Sequence, residues 1–392
     1  MLPRQEIRRM VTGISRPPPP PAAPRVLFLT SGLGTGHTRA AAAVARALRT
    51  ALPEARLHTV DFWSLLDASV ARAAQQTYLR LVTTHPELYQ SLYRLDQRSW
   101  RAVLQDHQPP PEEIQELGGL IAPLAAHNGG GDLNHSWFDR ILYRELAMIL
   151  SRPDSGESRL QGLRQLAVIR RCWTLLANRL GRRIRRYAPD AIVATQVNMA
   201  ALAAHLKSRG KFTAPLIGVL TDYGVHDFWR QERIDVHCVA EEAMRTPLAA
   251  ARVEVTGVPL MPEYAQPPAV DAARRRLGLP QDRPVLLVLG GGLGLGIAPV
   301  VRRLAGSAVV GASRATLVAV AGRNDRLRRE LDGDGAIAGL AASGRLRIDG
   351  WVENLVAHMR AADLVIGKPG GLTTAEVLAC GRPLFSTCSL RG

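Results

Sequence analysis

Short runs of apolar residues, each ending in a glycine-rich or polar turn, recur along most of this chain. The first run, RVLFLT at residues 25–30, leads into the turn SGLGTGH and an alanine-rich amphipathic segment, and RLHTVDFW supplies the next run. Strand, loop, helix and strand in this order predict a parallel sheet with crossover helices. The same order begins again at PVLLVLG, residues 284–290, and continues through ATLVAVAG, RLRIDGW and DLVIGK. The pattern therefore predicts an α/β protein with two Rossmann-like units.

Breaks in the pattern give the domain boundaries. The run PPPPPAAP predicts a stiff extended spacer before the first strand, and the polar, proline-bearing stretch EYAQPPAVDAARRRLGLPQDR separates the two strand series. We therefore predict a basic, proline-rich extension over 1–24, an N-terminal domain over 25–262, a linker over 263–283 and a C-terminal domain over 284–392. Because ligands of parallel sheets bind beyond the carboxyl ends of the strands, the glycine loops of both domains should line a shared cleft.

Between about residues 70 and 186 the spacing of apolar positions becomes mostly helical. Two breaks, QPPPEE and HNGGGDLNHS, predict loops within this region. The segment TYLRLVTTHPELYQSLYRLDQRSW, residues 77–100, alternates aromatic, leucine and arginine residues. That composition suits either an interfacial surface on anionic lipid or a buried helix pair.

Composition changes this picture mainly through charge. With 392 residues, 46% hydrophobic and 21% charged, the sequence is typical of a folded protein large enough for two domains. The formal net charge is +16, and arginine carries nearly all of the positive charge because only three lysines occur. Such a surface would favour an anionic membrane face, a phosphorylated substrate or nucleic acid, or it would simply keep the protein soluble. No sequence motif supports a nucleic-acid partner.

Membrane insertion and secretion are not predicted. No apolar run reaches the roughly 18 residues of a transmembrane helix, and the basic start of the chain lacks the apolar core of a secretory signal. The four cysteines, Cys172, Cys238, Cys380 and Cys388, are far apart and form no CxxC pair. We therefore expect neither a disulfide framework nor a metal site, and we expect a cytoplasmic protein whose contact with membrane is peripheral.

The turn SGLGTGH predicts a ligand-binding loop at a helix N-terminus. Its glycines, Gly32, Gly34 and Gly36, let the backbone approach a ligand closely. His37 follows in the first helical turn, where the helix dipole disfavours the protonated imidazole, so it is a candidate general base towards an alcohol. Gly32-x-Gly34 with Asp61 also imitates a dinucleotide fingerprint, but the third glycine position falls on His37, which would crowd a pyrophosphate. A helix-capping role for His37 is the remaining alternative.

The loop GKPGGLTTAE, residues 367–376, predicts a phosphate site. A strand leads into Lys368 and a Pro-Gly-Gly turn, and Thr373 opens a helix, so amides, hydroxyls and the helix N-terminus converge on one point. Glu376 lies in the first turn, where its carboxylate could accept two ribose hydroxyls, act as a capping partner of Thr373, or both. The P-loop pattern GxxxxGK[ST] is absent, so simple ATP hydrolysis is not expected.

Two further segments of the C-terminal half carry candidate phosphate contacts. VLGGGLGLG, residues 288–296, places three consecutive glycines after a strand, which suits close approach of the backbone to phosphate or sugar. In AGRNDRLRREL, Arg323 follows the end of a strand and is placed to bind a diphosphate.

A third constellation, LTDYGVHDFWR, lies in the N-terminal half. Asp222 ends a strand there, with His226, Phe228 and Trp229 close behind it. Asp222 is a candidate to orient His37 or to bind acceptor hydroxyls at the edge of the cleft. A helix cap beside a surface aromatic pair accounts for the same residues.

Taken in order, several segments resemble one family: SGLGTGH, LTDYGVHDFW, VTGVPLMPEY, VLGGGLGLG, AGRND, DGWVENL and GKPGGLTTAEVLACGRP. It is the family of the monogalactosyldiacylglycerol synthases and processive diacylglycerol glucosyltransferases, which are related to the peptidoglycan lipid-precursor N-acetylglucosaminyltransferase. The resemblance implies a GT-B fold, in which two Rossmann-like domains face each other across a cleft. It also implies inverting, metal-independent transfer of a hexose from UDP-glucose or UDP-galactose to diacylglycerol or a related lipid, at an anionic membrane surface and without a cofactor.

The resemblance also assigns residues. It matches His37 to the family's histidine at the acceptor hydroxyl, and we place Gly34, Gly36 and His226 on the same acceptor side. On the donor side Arg323 matches the arginine on the diphosphate, with Lys368 adding positive charge. The nucleobase pocket and the phosphate and ribose loops are matched by Trp351, Val352, Gly291, Gly292, Gly370, Gly371, Thr373, Thr374 and Glu376.

The family continues beyond the last strand with a Gln-Glu pair that contacts the donor sugar, and with a helix that crosses back to the N-terminal domain. The chain stops at Gly392, so either the sequence is truncated there or the protein lacks these donor-sugar contacts. Two alternatives to a diacylglycerol glycosyltransferase stay open. One is a transferase with a polyprenyl-linked acceptor, and the other is a catalytically impaired lipid- or nucleotide-binding relative.

Overall fold

Two parallel sheets flanked by helices form the described part of the computed structural model, which covers residues 23–32, 35–84, 173–248, 252–294, 296–335 and 337–387. Most of the predicted N-terminal extension and the loops QPPPEE and HNGGGDLNHS lie outside these ranges. The segment 77–100, predicted as an interfacial surface or a buried helix pair, also falls mostly outside them.

The first sheet belongs to the N-terminal domain. Its strands are β1 (Arg25–Thr30), β2 (Arg56–Asp61), β3 (Ala191–Ala194), β4 (Leu216–Val219), β5 (Val236–Val239) and β6 (Val253–Val255). They lie in the order β2-β1-β3-β4-β5-β6, and neighbouring strands are parallel. The direction in which the sheet grows reverses between β1 and β3, so the carboxyl ends of these two strands form the switch point at which such sheets bind ligands.

Helices cover this sheet on both faces. They are α1 (Gly36–Ala51), α2 (Ala68–Thr84), α3 (173–187), α4 (Val197–Ser208) and α5 (Arg245–Leu248). Leu27, Phe28 and Leu29 of β1 are fully buried, which explains why this strand is a continuous apolar run and does not alternate. Each such side chain stabilises the folded state by about 2 kcal/mol.

The second sheet belongs to the C-terminal domain. Its strands are β7 (Val285–Leu289), β8 (Thr316–Val320), β9 (Leu346–Asp349), β10 (Leu364–Gly367) and β11 (Leu384–Ser386). They lie in the order β11-β10-β7-β8-β9, again all parallel, with the switch point between β7 and β10. The helices are α6 (Val270–Leu277), α7 (Ile297–Ala305), α8 (Ala308–Ser313), α9 (Asp325–Asp332), α10 (Ala338–Ala342), α11 (Val356–Ala361) and α12 (Gly371–Ala379).

Residues 263–283, predicted as a linker, are packed into the core of the C-terminal domain instead. Tyr264, Ala273 and Leu279 are buried in one cluster with residues of the second sheet such as Leu287. The prolines that suggested a linker lie in the turns on either side of α6. The short helix buries its apolar positions against α11, so the C-terminal domain starts earlier in the chain than the composition indicated.

The predicted fold class is confirmed, because two doubly wound parallel sheets face each other across a cleft in the GT-B manner. Within the described residues, no helix is both long enough and apolar enough to span a bilayer. The same residues contain no group of three or more histidine, cysteine or acidic side chains arranged to hold a metal ion.

Candidate active site

The predicted glycine loops of the two domains lie on opposite walls of one cleft. The loop after β1 leaves the switch point of the first sheet, and the loops after β7 and β10 leave the switch point of the second. The N-terminal domain lines the cleft with Thr35, Gly36, His37, Arg39, Thr221 and Asp222. The predicted C-terminal residues that line it are Gly291, Gly292, Trp351, Val352, Gly370, Gly371, Thr373 and Glu376.

His37 is held at the cleft by its ring nitrogen Nδ1. This atom lies 2.8 Å from the carbonyl oxygen of Thr195 and 3.0 Å from the hydroxyl of Thr221. A carbonyl oxygen can only accept, so Nδ1 carries the proton in that hydrogen bond and Nε2 keeps its lone pair. The arrangement gives His37 the tautomer that a general base needs.

Thr195 also fixes the backbone of His37. The hydroxyl of Thr195 lies 3.0 Å from the carbonyl oxygen of His37 and 3.0 Å from the hydroxyl of Thr30. Because the carbonyl can only accept, Thr195 donates to it and accepts from Thr30. All three hydroxyl-bearing neighbours, Thr30, Thr195 and Thr221, are at most 5% exposed, so the support of His37 is rigid and largely dry.

Burial lowers the pKa of His37 below its ordinary value, and the negative charge of Asp222 partly offsets this. The imidazole is therefore neutral at neutral pH and able to accept a proton. The helix dipole was expected to keep His37 neutral, but burial is the largest cause of its lowered pKa.

Asp222 contacts the opposite wall of the cleft. Its Oδ1 accepts a hydrogen bond of 3.3 Å from the backbone N–H of Gly371, the first residue of α12. This helix N-terminus is the point where the sequence predicted a phosphate, so the carboxylate of Asp222 stands where an anion is expected. The predicted phosphate site thus attracts negative charge in the structure, and Asp222 connects it to the side of the cleft that holds His37.

Glu376 is the most deeply buried acidic side chain of the cleft, at 2% exposure. Its Oε1 pairs with Nη2 of Arg39 at 2.8 Å, and Arg39 Nη2 also lies 3.5 Å from the hydroxyl of Tyr264. Burial raises the pKa of Glu376 to about 7, although Arg39 and a hydrogen bond from Tyr264 both favour the charged form. The carboxyl is therefore close to half-ionised at neutral pH. The predicted capping of Thr373 is not seen, since no side chain caps α12.

Glycine is required where the loop after β7 passes the loop after β8. Gly322 has a φ of +63°, and a Cβ atom there would lie 2.7 Å from the carbonyl oxygen of Gly292. The backbone N–H of Arg323 donates to that oxygen at 3.0 Å. Gly292 also faces the other domain, because a Cβ on it would lie 2.7 Å from the methyl carbon of Thr35. The backbone of the glycine loop therefore packs against the side chain of Thr35 in the other domain.

Three predicted donor residues do not line the cleft: Arg323, Lys368 and Thr374. The guanidinium of Arg323 stacks on the indole of Trp351, 4.1 Å from the ring centre. Trp351, which is 42% exposed, and Val352 do line the cleft. Arg323 thus makes a cation–π contact with the residue predicted for the nucleobase, and its contact with a diphosphate stays a prediction.

Of the three residues predicted for the acceptor side, Gly36 and His226 lie within the described residues. Gly36 lines the cleft, whereas Gly34 lies outside the described residues. His226 accepts a hydrogen bond of 3.1 Å from the N–H of Phe228 and thereby caps a short 3-10 turn. Phe228 and Trp229 are buried, so the alternative of a surface aromatic pair is wrong.

Four residues of the site were not predicted from the sequence: Arg39, Thr195, Thr221 and Tyr264. A signal for two of them exists, because Thr30, Thr195 and Thr221 each lie at or just beyond the carboxyl end of a parallel strand. Residues at those positions converge on the switch point. Arg39 gave no such signal, since one arginine on a helix rich in arginine looks like part of a solvated face.

Comparison with known proteins agrees with the motifs. Residues 161–260 match the family model for monogalactosyldiacylglycerol (MGDG) synthase. Processive diacylglycerol beta-glucosyltransferase of Bacillus subtilis is 28% identical over 212 residues, 53% of this chain and 53% of that protein. Monogalactosyldiacylglycerol synthase 1, chloroplastic, of Arabidopsis thaliana is 26% identical over 226 residues, 54% of this chain and 41% of that protein. Acinetobacter baumannii MurG aligns with 91% of this chain and 76% of its own at 13% identity and a TM-score of 0.44.

The chain spans about half the length of the curated relatives that it matches. The segment matched by the family model, 161–260, includes the strands β3 to β6. It therefore contains Thr195, Thr221 and Asp222, three residues on the wall of the cleft that holds His37. The segment similar to the family model thus includes residues of the cleft as well as strands of the first sheet. The chain is similar to the monogalactosyldiacylglycerol synthases and the processive diacylglycerol glucosyltransferases, as its motifs indicated.

Proposed function

We propose that this protein is a glycosyltransferase that moves a hexose from a UDP-sugar to the hydroxyl group of diacylglycerol or a related lipid. One observation carries the proposal. The cleft holds a neutral histidine on one wall and an anion-attracting helix N-terminus on the other. A base facing an anion site is what transfer from a nucleoside diphosphate to an alcohol requires.

The residues divide the chemistry between the two walls. His37 Nε2 takes the proton of the acceptor hydroxyl as its oxygen forms a bond to the anomeric carbon of the sugar. The bond from that carbon to the diphosphate breaks, and the electron pair leaves with the diphosphate. The N-terminus of α12 and the hydroxyl of Thr373 stabilise the negative charge that develops there. Attack from the wall opposite the leaving group inverts the anomeric centre in a single displacement.

The proposed donor class rests on the second wall and on the resemblance. Gly370, Gly371, Thr373, Glu376 and Trp351 all line the cleft. We assign the first three to the diphosphate, Glu376 to the ribose and Trp351 to the base. We assign this set to UDP-glucose or UDP-galactose and propose that no metal ion is required, because the backbone amides at α12 supply fixed positive charge.

The acceptor is proposed from the relatives and from the charge. Two of the matched proteins are named for diacylglycerol as a substrate or product component. The net charge of +16 would draw the protein to an anionic membrane surface, where such a lipid lies. We therefore propose peripheral binding to anionic membrane as part of the function.

A product assay tests the proposal directly. Purified protein is incubated with radiolabelled UDP-glucose or UDP-galactose and vesicles containing diacylglycerol, with and without anionic lipid. We expect a labelled glycolipid with one of the two donors, formed faster on anionic vesicles at low salt than at high salt. No labelled lipid with either donor would contradict the proposed activity, and equal rates on neutral and anionic vesicles would contradict the membrane part alone.

Binding of the donor should also depend on pH through Glu376. Burial raises the pKa of this carboxyl to about 7, and only the ionised form accepts both ribose hydroxyls. We expect the affinity for UDP-glucose to rise about tenfold from about pH 6 to about pH 8, as the ionised fraction grows. Titration calorimetry in two buffers of different ionisation enthalpy would show release of a proton on binding near pH 7.

The matched variant for this prediction is Glu376→Gln, which keeps the shape of the side chain and cannot titrate. Its affinity should be lower than that of the wild type at pH 8 and should not change with pH. A donor such as UDP-glucose suits the test because its diphosphate diester keeps a constant charge over this range. Equal pH dependence in the wild type and the variant would remove Glu376 from the ribose site.

A further inference from the structure

We propose that Arg39 of the N-terminal domain is a diphosphate-binding residue of the donor site. The proposal rests on the proposed function, because it assigns one more contact to the same nucleotide. Arg39 lies on α1, half a turn beyond His37, and it lines the cleft together with Thr373 and Glu376. A residue of the N-terminal domain thereby reaches the donor wall, for which only C-terminal residues were predicted.

Charge in the cleft is the first argument. Asp222 and Glu376 both line it, and of the described lining residues Arg39 is the one that carries a permanent positive charge. A nucleoside diphosphate brings about two further negative charges into a space that already holds these two carboxyl groups. Without a cation the helix N-terminus alone would have to offset the repulsion, and a helix N-terminus amounts to only about half a unit charge.

The geometry of the guanidinium is the second argument. The ion pair with Glu376 and the contact with Tyr264 both run from Nη2. As far as the described residues go, the donors on Nε and Nη1 are left for another partner. The Nε–H and Nη1–H groups can each donate to a different oxygen of a diphosphate. Glu376 therefore holds the arginine in place by one nitrogen while the others stay available.

The other predicted cations are worse placed. Arg323 stacks on Trp351 and does not line the cleft, and Lys368 does not line it either. The side chain of Arg39 is 23% exposed, so it is shielded from bulk water yet open to a ligand. Partial burial makes its charge count for more than that of a surface arginine. These placements favour Arg39 over Arg323 for the diphosphate contact.

The test compares two ligands that differ only in the diphosphate, namely UDP and uridine. Binding to the wild type, Arg39→Gln and Arg39→Lys is measured by titration calorimetry with UDP, and by competition for uridine. We expect Arg39→Gln to weaken UDP binding by tenfold or more and to change uridine binding by less than about twofold. Arg39→Lys keeps the charge but not the guanidinium, so we expect a smaller loss for UDP.

Arg46→Gln is the matched control. Arg46 lies on the same helix and pairs across the same domain interface with Glu263 at 2.6 Å, but it does not line the cleft. We expect its affinities for both ligands to equal those of the wild type. If Arg46→Gln weakened UDP binding as much as Arg39→Gln did, the effect would come from domain pairing and the proposal would be wrong.

Two results would overturn the proposal in different ways. An equal loss of UDP and uridine affinity in Arg39→Gln would show that Arg39 acts only by holding Glu376 at the ribose. Unchanged UDP affinity in both Arg39 variants would remove Arg39 from the donor site altogether. Failure of the wild type to bind UDP at all would instead contradict the proposed donor class, so the two failures can be told apart.

Discussion

Replacement of His37 by alanine should lower kcat by about 10³-fold while UDP affinity stays within about threefold of the wild type. The imidazole offers a neutral nitrogen, Nε2, as a proton acceptor, because Nδ1 donates to the carbonyl of Thr195. The imidazole is hydrogen-bonded to Thr195 and Thr221, and neither residue is assigned to the donor. Steady-state kinetics with the lipid acceptor, together with UDP titration, measures the two effects separately.

A second variant, His37→Asn, separates chemistry from packing. The amide N–H of asparagine can take over the hydrogen bond to Thr195, but nothing replaces Nε2. We expect this variant to turn over as slowly as the alanine variant and to keep a wild-type melting temperature. Turnover near the wild-type rate in His37→Asn would show that the ring serves the fold, and loss of UDP binding would move His37 to the donor site.

The acid side of the kcat profile follows from the same residue. Burial lowers the pKa of His37 below 6.5, so the neutral base persists to a lower pH than an exposed histidine would allow. At saturating donor, kcat should therefore stay constant down to below pH 6.5 and then fall as the imidazole gains a proton. The apparent affinity for donor should change near pH 7 through Glu376, so the two groups are distinguished by kcat and KM.

Much of the cleft could be predicted from the sequence because its parts are local. An apolar run followed by a glycine turn and a helix specifies a strand, a loop and the loop's position at the sheet edge. This is why His37, Gly292 and Gly371 fall on the walls of one cleft. The arrangement of each loop depends on residues close together in the chain, and such residues are visible as motifs.

Contacts between the domains could not be predicted in the same way. Glu376 has the spacing of a capping residue, but its partner Arg39 comes from a helix more than 300 residues earlier. Arg323 follows the end of a strand, where a diphosphate-binding residue is expected. Its guanidinium contacts the ring of Trp351, and no local sequence pattern predicts that contact. The turn before α6 looks like a linker because of its prolines, yet Tyr264 is buried beside Met359. In each case a tertiary partner decides the role.

Two contacts join the walls of the cleft at the proposed donor subsites. Asp222 accepts from the N–H of Gly371 and Arg39 pairs with Glu376, so groups of the N-terminal domain contact both subsites. A donor that replaces the carboxylate of Asp222 at the helix N-terminus also frees it to act on His37. The close approach of the domains at Gly371 is therefore a feature on which turnover should depend.

Substitution of Gly371 by alanine should act as a wedge between the domains and lower kcat/KM by about 10²-fold or more, because displacements near 1 Å at a reacting centre have effects of this size. A Cβ atom at this position would lie 2.1 Å from the carbonyl oxygen of Thr221 and 2.6 Å from the Cα atom of Asp222. Both are backbone atoms, so no side chain can move aside and the cleft must open.

Gly370→Ala is the control that the chain itself provides. Gly370 precedes Gly371 in the same loop and also lines the cleft, but a Cβ on it would meet nothing within 4 Å. Its backbone, at φ −66° and ψ 141°, is one that alanine adopts readily. We expect Gly370→Ala to lower kcat/KM much less than Gly371→Ala does, and small-angle X-ray scattering to show a larger radius of gyration for Gly371→Ala alone. Since both variants add one methyl group to the same loop, equal activities would mean that closure at Gly371 plays no part in catalysis.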